Sequence, residues 1–370
     1  MEVHKRYMKE QVVRDLEKKM VFLAGPRQVG KTTLALDVAG GREGYLNWDV
    51  AEHRERILQQ QLPAQDLLVF DEIHKFRGWR NYLKGICDSG RWKQVLVTGS
   101  ARLDAYRRGG DSLQGRYHFL RLFPLSVAEL NMRPDDFAEL LALGGFPEPF
   151  FSSSAVEAKR WSREYRQRLI EGDVQSLESI EDLGRLEMMM LRLPALVGSP
   201  LSVNALREDL QVAHKTCSKW LDALERLYAI VRLAPFGAPT IRAIKKAQKH
   251  YQMDWTLVHE PGPRFENLVA IHLLKWLAWR ADTGGEDLEL RYFRDVDGRE
   301  VDFVITQGGR PLTLVECKYA DRPVDKGLRY LLRKYPHCAA WQISATGTKD
   351  YLTPDGIRVC PAQTYLAGLV

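Results

Sequence analysis

Residues 25–33 have the types and the spacing that the binding of a phosphate chain requires. They read GPRQVGKTT, which fits the pattern of G, any four residues, G, K and then S or T, and they follow the apolar run 20–24. In such a loop, backbone N–H groups and a helix N-terminus bind phosphate oxygens, while Lys31 reaches the β- and γ-phosphates and the Thr32 hydroxyl ligates Mg²⁺. The pattern therefore predicts a site for ATP or GTP. Its residues are Gly25, Pro26, Arg27, Gln28, Val29, Gly30, Lys31, Thr32 and Thr33.

Two adjacent carboxylates predict the second half of a hydrolytic site. Asp71 and Glu72 end the apolar run 67–70, about forty residues after the loop. At the end of a buried strand, Asp71 would lie beside the Mg²⁺ shell, and Glu72 would orient and deprotonate the attacking water. An isolated run of this kind would be a strand and a turn, but its position after a phosphate loop favours the catalytic interpretation.

A third apolar run, 94–97, ends in Thr98, Gly99 and Ser100. In an open parallel sheet, ligands gather at the carboxyl ends of strands, so Thr98 and Ser100 are candidates to sense the γ-phosphate or to hold the water. Capping of the following helix is an equally good interpretation of the two hydroxyls.

The elements around these residues alternate between short apolar strands and amphipathic helices, which predicts a doubly wound α/β domain with a parallel sheet. We expect strands over 20–24, 45–48, 67–70 and 94–97, and helices over 3–19, 31–38, 52–61 and 79–87.

Four motifs in this order resemble a known family. GPRQVGKTT, LLVFDEIHK, VLVTGSARL and a Gly-Arg pair followed by FLRLFPLSVAEL are similar to the AAA-type ATPases of bacteria and archaea that carry a DUF4143 region. The resemblance implies that ATP is the nucleotide and that Arg116 is an arginine finger acting on a neighbouring subunit. Such a finger implies a homo-oligomeric ring, for example a hexamer. Arg102, Arg107 and Arg108 compete for the same role, and each could be a solvated surface charge.

The middle of the chain predicts helices and then a different motif. Helices over 155–177 and 182–193 would form a lid, whereas 199–236 has the outline of a winged helix-turn-helix, with two helices and a strand. The second helix of this motif presents donors and cations suited to DNA contacts, although winged helices also serve as protein interfaces or lids. The candidates for DNA contact are His214, Lys215, Thr216 and Lys219, with Arg242, Lys245, Lys246 and Lys249 in a following basic wing or linker.

Two carboxylates and a lysine are expected to converge in the last third. Strands over 300–306 and 312–318, joined by a Gly-Gly turn, would place Asp302 within about one residue of being opposite Glu316, and Lys318 lies on the same face as Glu316. Asp302 and Glu316 would hold Mg²⁺ with help from the Cys317 carbonyl, and Lys318 would position water. With Glu266 in the preceding helix, the set resembles the PD-(D/E)XK nuclease superfamily. Val301 and Asp302 stand here where the named motif has Pro and Asp. A cross-strand salt bridge is the alternative for Glu316 and Lys318, and cleavage activity is left open.

Composition sets outer limits on these interpretations. The 370 residues carry a formal charge of +6, which permits a polyanionic partner but fits a solvated surface equally well. Five scattered cysteines without metal-ligand spacing favour reduced thiols. The charged N-terminus has no signal-peptide core and no segment is long and apolar enough to span a bilayer, so we expect a cytoplasmic protein without membrane contact.

Together these patterns predict an α/β chain with three domains. Residues 1–135 would be a P-loop NTPase domain of AAA type, 136–240 a helical lid and winged helix-turn-helix, and 241–370 an α/β PD-(D/E)XK nuclease-like domain. The expected function is an ATPase that uses Mg²⁺ and ATP to act on DNA, duplex or branched, in remodelling, repair or defence. The alternative is an ATP-dependent regulatory switch, or an ATPase that binds DNA or protein through a non-cleaving nuclease-like domain.

Overall fold

The computed structural model describes residues 4–99, 113–130, 136–174, 182–237 and 248–370. The chain divides into two compact units. Unit one contains Met1–Phe123 and Asp282–Gly284, and unit two contains Pro124–Ala281 and Gly285–Val370. The expected second and third domains thus fall within a single unit, and the boundaries predicted at 135 and 240 stay predictions.

Unit one is built on a parallel sheet that has five strands among its described residues. Its strands are β1 Met20–Ala24, β2 Tyr45–Asn47, β3 Leu67–Asp71, β4 Gln94–Thr98 and β5 Tyr117–Arg121. Their order is β2-β3-β4-β1-β5, so β1 lies inside the sheet, and all five of its residues are buried. The helices of this unit are α1 Lys9–Leu16, α2 Lys31–Ala39, α3 Ala51–Leu58 and α4 Trp79–Ser89, with a 3₁₀ turn at Ile73–Lys75. The predicted α/β layer is confirmed.

The strand order aligns the ends of three strands that the sequence singled out. β4 pairs with both β1 and β3, and the register places Leu23 and Asp71 each opposite Thr98. Because parallel strands all point the same way, the loop after β1 and the residues after β3 lie at the same edge of the sheet. Residues far apart in sequence are therefore brought together there.

The first helix is shorter than the sequence predicts. Helical patterning extends over 3–19, whereas α1 begins at Lys9. It ends at Leu16, so it is shorter at both ends. Before it, Arg6 is buried and donates hydrogen bonds of 2.6 Å to the carbonyls of Val29 and Phe123, which anchors the segment that precedes α1.

Unit two begins with a series of helices. They are α5 Val127–Leu130, α6 Phe137–Leu143, α7 Pro147–Phe151, α8 Ala155–Arg168, α9 Leu183–Arg192, α10 Val203–Leu210 and α11 His214–Arg226. A π-helical turn, Leu169–Val174, extends α8, and a 3₁₀ turn, Leu193–Leu196, extends α9. The predicted helix over 155–177 is confirmed as far as residue 174, and its last residues lie outside the described ranges. The two helices predicted within 199–229 are present as α10 and α11.

A mixed sheet, eight-stranded within the described ranges, forms the rest of unit two. The strands are β6 Ile230–Pro235, β7 Lys249–Gln252, β8 Leu288–Arg294, β9 Glu300–Gln307, β10 Arg310–Lys318, β11 Ala339–Ser344, β12 Tyr351–Leu352 and β13 Ile357–Pro361. Their order is β12-β13-β11-β10-β9-β8-β6-β7. The antiparallel pair β6 and β7 follows α11 and joins this sheet through β8, so the segment predicted as a winged helix shares its strands with the C-terminal sheet.

The helices α12 Pro261–Gly284, α13 Lys326–Lys334 and α14 Ala362–Leu366 complete the unit, together with a 3₁₀ turn at Trp255–Leu257. α12 is buried over its middle part, between Phe265 and Ala278, and contains polar residues with specific partners. Asn267 accepts the Gln252 N–H at 2.8 Å, and the Lys275 ammonium donates to the Ser126 hydroxyl at 2.8 Å. Across the described ranges, no helix combines the length and the apolar character needed to cross a membrane.

Two histidines of unit two are buried in the neutral form. His250 contacts the Leu193 carbonyl at 2.9 Å, and His272 donates to Leu268 at 2.9 Å and accepts the Val127 N–H at 3.2 Å. Burial lowers the pKa of both rings to about 4. In the unfolded chain the two histidines bind protons at their ordinary pKa of 6.5, whereas in the folded chain they do so only near pH 4. The contribution of the two neutral rings to stability is therefore complete above pH 6.5 and is lost as the pH falls through 4.

Acidification should therefore weaken unit two through these rings. Between pH 7.5 and 5.0 each histidine should remove about 2 kcal/mol from the free energy of unfolding. Urea unfolding followed by tryptophan fluorescence, compared between the wild type and a His250→Gln/His272→Gln double variant, measures the effect. The variant should lose less stability on acidification, and an equal loss in both proteins would show that the rings do not cause it.

Candidate nucleotide site and a buried carboxylate cluster

The glycine-bounded loop has the backbone that its sequence predicts. Gly30 caps α2 with φ +98°, and Gly25 has φ +143°. A Cβ at Gly25 would lie 2.2 Å from the carbonyl oxygen of Leu122, so only glycine fits between the loop and the chain that follows β5. The Lys31 ammonium lies inside the loop and donates to the carbonyls of Gly25 at 3.1 Å and Pro26 at 2.6 Å. The lysine is thus held at the place where phosphate oxygens are expected.

Asp71 connects the loop to the sheet. Its Oδ2 accepts the Thr32 hydroxyl at 2.8 Å and the Tyr45 hydroxyl at 2.7 Å, and its Oδ1 accepts the Thr98 hydroxyl at 2.6 Å. The predicted pair of Thr32 and Asp71 is therefore in direct contact. A carboxylate and a threonine hydroxyl at the end of a phosphate loop are oxygen donors of the kind that Mg²⁺ prefers, so these residues fit that ion.

Thr98 differs from its predicted role. Its side chain is fully buried and donates to Asp71, so it orients the carboxylate and is not exposed to sense a phosphate or to hold water. The other candidate in this stretch, Ser100, lies outside the described residues.

Glu72 combines a strained backbone with a partly buried carboxylate. Its φ of +57° is unusual for a residue with a side chain and is stabilised by a 2.9 Å hydrogen bond from its N–H to the Thr98 carbonyl. The carboxylate lies 3.5 Å from the Lys75 ammonium, and Lys75 also pairs with Asp49 at 2.5 Å. Burial raises the pKa of Glu72, which makes its carboxylate a stronger base.

The predicted arginine finger is paired within its own chain. The Nε of Arg116 donates to Asp88 at 3.0 Å, and about a third of the arginine side chain is exposed. Its competitors Arg102, Arg107 and Arg108 lie outside the described residues, so the choice among them stays a prediction.

The residues predicted to contact DNA fall into two groups. His214, Lys215 and Lys219 are exposed on the first half of α11, and Thr216 is half-buried there. Arg242, Lys245 and Lys246 lie outside the described residues. The expectation for Lys249 was wrong: it is not part of a basic surface but lies fully buried in β7, because its ammonium is surrounded by carboxylates.

The predicted C-terminal constellation is assembled by β9 and β10. Their antiparallel register pairs Phe303 with Val315, which places Asp302 opposite Glu316. The Asp302 N–H donates to Glu316 Oε2 at 3.2 Å, and Glu316 Oε1 accepts the Lys318 ammonium at 2.6 Å. Lys318 also pairs with Asp325 at 2.9 Å. Glu316 and Lys318 thus do form a salt bridge, but it lies within β10 and does not cross between strands.

Lys249 joins this constellation from the neighbouring hairpin. Its Nζ lies 3.1 Å from Glu266 Oε1, 2.5 Å from Glu300 Oε1 and 3.5 Å from Asp302 Oδ1. Burial alone would lower the pKa of Lys249, but the three carboxylates raise it above its ordinary value, so the ammonium stays charged. Burial beside Asp302 raises the pKa of Glu266 to about 7, although Lys249 and the Tyr251 hydroxyl oppose the shift. We name Glu266, Glu300, Asp302 and Lys249 the carboxylate cluster.

The carboxylate cluster does not fit the Mg²⁺ that the sequence predicts there. Among the described residues, no group of three or more His, Cys, Asp or Glu side chains is arranged to hold a metal ion. Asp302 Oδ2 accepts the Cys317 N–H at 2.9 Å, and its Oδ1 faces Lys249. A positive charge of the protein itself, the Lys249 ammonium, thus already lies among these carboxylates.

Sequence reasoning missed three residues of these sites. Glu300 carried a usable signal, because it lies two residues before Asp302 and so shares a face of the strand. Tyr45 and Lys249 carried none, since a tyrosine at a strand start and a lysine near a basic stretch each have an ordinary explanation.

The hydroxyl of Tyr45 should contribute to the stability of unit one. Tyr45→Phe removes one of the donors to the buried Asp71 carboxylate and should lower the free energy of unfolding by about 1 kcal/mol. Tyr82→Phe is the matched control, because the buried Tyr82 hydroxyl has no hydrogen-bond partner within the described part of the chain. Urea unfolding should show no loss for the control, and equal losses in both variants would contradict the assignment.

Three family models match consecutive parts of the chain. Residues 17–131 match AAA_14, an AAA domain, and residues 134–261 and 261–365 match the domains of unknown function DUF8612 and DUF4143. Uncharacterized proteins of Mycobacterium tuberculosis and Mycobacterium bovis are each 25% identical over 318 residues, which cover 79% of this chain and 71% of theirs.

Solved structures are similar at low identity. A Walker-type ATPase of Pyrococcus abyssi is 13% identical with a TM-score of 0.44 and covers 69% of this chain and 95% of its own. AMPPCP-bound DnaA from Aquifex aeolicus is 13% identical with a TM-score of 0.29, covering 59% and 86%. By the match over residues 17–131, the first unit carries an AAA domain, which implies nucleotide binding, and the chain continues with DUF8612 and DUF4143 regions.

Proposed function

We propose that the protein hydrolyses ATP with Mg²⁺ in unit one and couples this reaction to DNA binding by unit two. The observation that carries the ATPase part is the 2.8 Å hydrogen bond between Thr32 and Asp71, with Glu72 next along the chain. The AAA domain match over residues 17–131 supports it independently.

Each residue of the site then has a defined task. The loop N–H groups and Lys31 bind the phosphates, while Thr32 and Asp71 would hold Mg²⁺, which would supply positive charge beside the phosphate oxygens. Glu72 orients water and accepts its proton as the water oxygen bonds to the γ-phosphorus, and the bond to the ADP oxygen breaks. The products are ADP and phosphate. The raised pKa of Glu72 suits this transfer.

DNA is the partner we propose for the segment from α10 to β7. Two helices followed by an antiparallel pair of strands form the outline of a winged helix-turn-helix. The exposed cations at the start of α11 suit contacts to phosphates and base edges. The alternative, a regulatory switch in which this segment binds protein, makes the opposite prediction for DNA.

We propose that Arg116 reaches into the nucleotide site of a neighbouring subunit in a homo-oligomer. An arginine that completes the site of a second subunit must be free to move there, so its 3.0 Å pair with Asp88 would have to open on assembly. An exposed ion pair of this kind is weak enough to open.

Two substitutions should separate nucleotide binding from hydrolysis. Lys31→Ala should abolish both, because the phosphates lose their lysine. Glu72→Gln should keep ATP binding but lower turnover about 100-fold or more, because the base is lost. Phosphate release and binding of a fluorescent ATP analogue measure the two steps, and light scattering with and without ATP on the same samples tests the oligomer.

Glu17→Gln is the control, since Glu17 is exposed at the end of α1. It should leave turnover unchanged. Turnover in Glu72→Gln equal to that of the wild type would remove Glu72 from the reaction.

Binding of duplex or branched DNA should depend on α11. Lys215→Ala and Lys219→Ala should each weaken binding and reduce the slope of log affinity against log salt by about 1. Fluorescence anisotropy over a series of salt concentrations measures both quantities. Lys349→Ala, at an exposed lysine elsewhere in unit two, should leave the slope unchanged. A wild type that binds neither form of DNA would reject the DNA part and favour the regulatory switch.

A further inference from the structure

A buried ammonium group lies at the centre of the carboxylate cluster. The Lys249 side chain has no exposed surface, and its Nζ is 2.5–3.5 Å from oxygens of Glu266, Glu300 and Asp302. An ammonium carries three N–H donors, which matches three carboxylates around it. The lysine comes from β7, whereas the carboxylates come from α12 and β9.

The neighbouring groups keep the carboxylate oxygens around this ammonium. Tyr251 lies two residues after Lys249 on the same face of β7, and its hydroxyl donates to Glu266 Oε1 at 2.7 Å. Asp302 Oδ2 accepts the Cys317 N–H, and both oxygens of Glu316 accept N–H donors from Asp302 and Lys318. These contacts hold the carboxylates in place around the Lys249 ammonium.

A divalent ion would compete with the lysine for the same carboxylates. Mg²⁺ binds oxygens at about 2.0–2.1 Å and would have to enter between the same carboxylates. It would then lie within a few ångströms of a positive charge in a buried site, where repulsion is strong. Nζ lies within hydrogen-bond distance of Glu266 and Glu300, and its 3.5 Å separation from Asp302 is that of an ion pair.

We propose that the Lys249 ammonium is the resident cation of this nuclease-like centre, so that the centre binds no Mg²⁺ or Mn²⁺ and does not cleave phosphodiesters. The same contacts fasten β7, the second strand of the hairpin that follows α11, to α12 and β9. Lys249 lies in the DUF8612 region and the carboxylates lie in the DUF4143 region, so the cation joins the two. This inference depends on neither ATP hydrolysis nor DNA binding.

Removal of the lysine should turn the cluster into a metal site. The full-length protein is titrated with Mn²⁺ without nucleotide, and free Mn²⁺ is counted by electron paramagnetic resonance. Lys249→Ala should bind one more Mn²⁺ per chain than the wild type. A Lys249→Ala/Asp302→Asn double variant should lose that ion. A folded Lys249→Ala protein that gains no Mn²⁺ would overturn the proposal.

Lys275→Ala is the matched control. Lys275 is also a buried lysine of unit two, but it pairs with the Glu129 carboxylate, the Ser126 hydroxyl and the Pro124 carbonyl. Its removal should lower thermal stability without adding a Mn²⁺ site. A gain of Mn²⁺ equal to that of Lys249→Ala would mean that the effect is not specific to the cluster, and would also overturn the proposal.

A second comparison decides the question if Lys249→Ala fails to fold. The wild type and Asp302→Asn should bind equal numbers of Mn²⁺ ions, and neither should nick supercoiled DNA with Mn²⁺. An ion or a nicking activity that is present in the wild type and absent in Asp302→Asn would show that the centre is a metal site. Because this readout concerns unit two alone, it is separate from any failure of the ATPase proposal.

Discussion

The carboxylate of Asp71 is the point on which the arrangement of unit one depends. It lies buried at the end of β3 and accepts hydroxyl hydrogen bonds from Thr32 on α2, Tyr45 on β2 and Thr98 on β4. A buried carboxylate without donors would be strongly destabilising. Its three donors come from three different elements. The hydrogen bonds that stabilise this one buried carboxylate therefore link β3 to α2, β2 and β4.

Unit two meets the same constraint with a different solution. Around Asp302 several carboxylates are buried close together, and hydroxyl donors alone would leave a large negative charge unbalanced. Lys249 supplies a positive charge from β7, and Lys318 supplies another from β10. Within the described part of the chain, Asp71 in unit one has no cation of the protein bound to it and fits Mg²⁺ together with Thr32. The carboxylate cluster in unit two contains the Lys249 ammonium.

Much of unit one could be predicted because its signals are local. The strands that lead to Gly25 and Asp71 are short apolar runs, and the phosphate loop is a continuous stretch of nine residues, 25–33. The pairing of β9 and β10 also followed from local pattern, since a two-glycine turn joins the two strands. The exact opposition of Asp302 and Glu316 did not, because it depends on a register shift between Pro311 and Thr313. The role of Thr98 could not be foreseen, because a threonine at a strand end serves a ligand or a neighbouring carboxylate with equal ease.

The sequence by itself determined the phosphate loop, the acidic strand end and the pairing of two C-terminal strands, because each depends on residues close together in the chain. Only the tertiary structure decided the position of Lys249. In the sequence it follows Lys245 and Lys246 and is indistinguishable from a solvated cation, and in the fold it is buried among carboxylates that begin seventeen residues later with Glu266. Long-range strand pairing and the requirement to neutralise buried charge place it there, and neither is written in the local pattern.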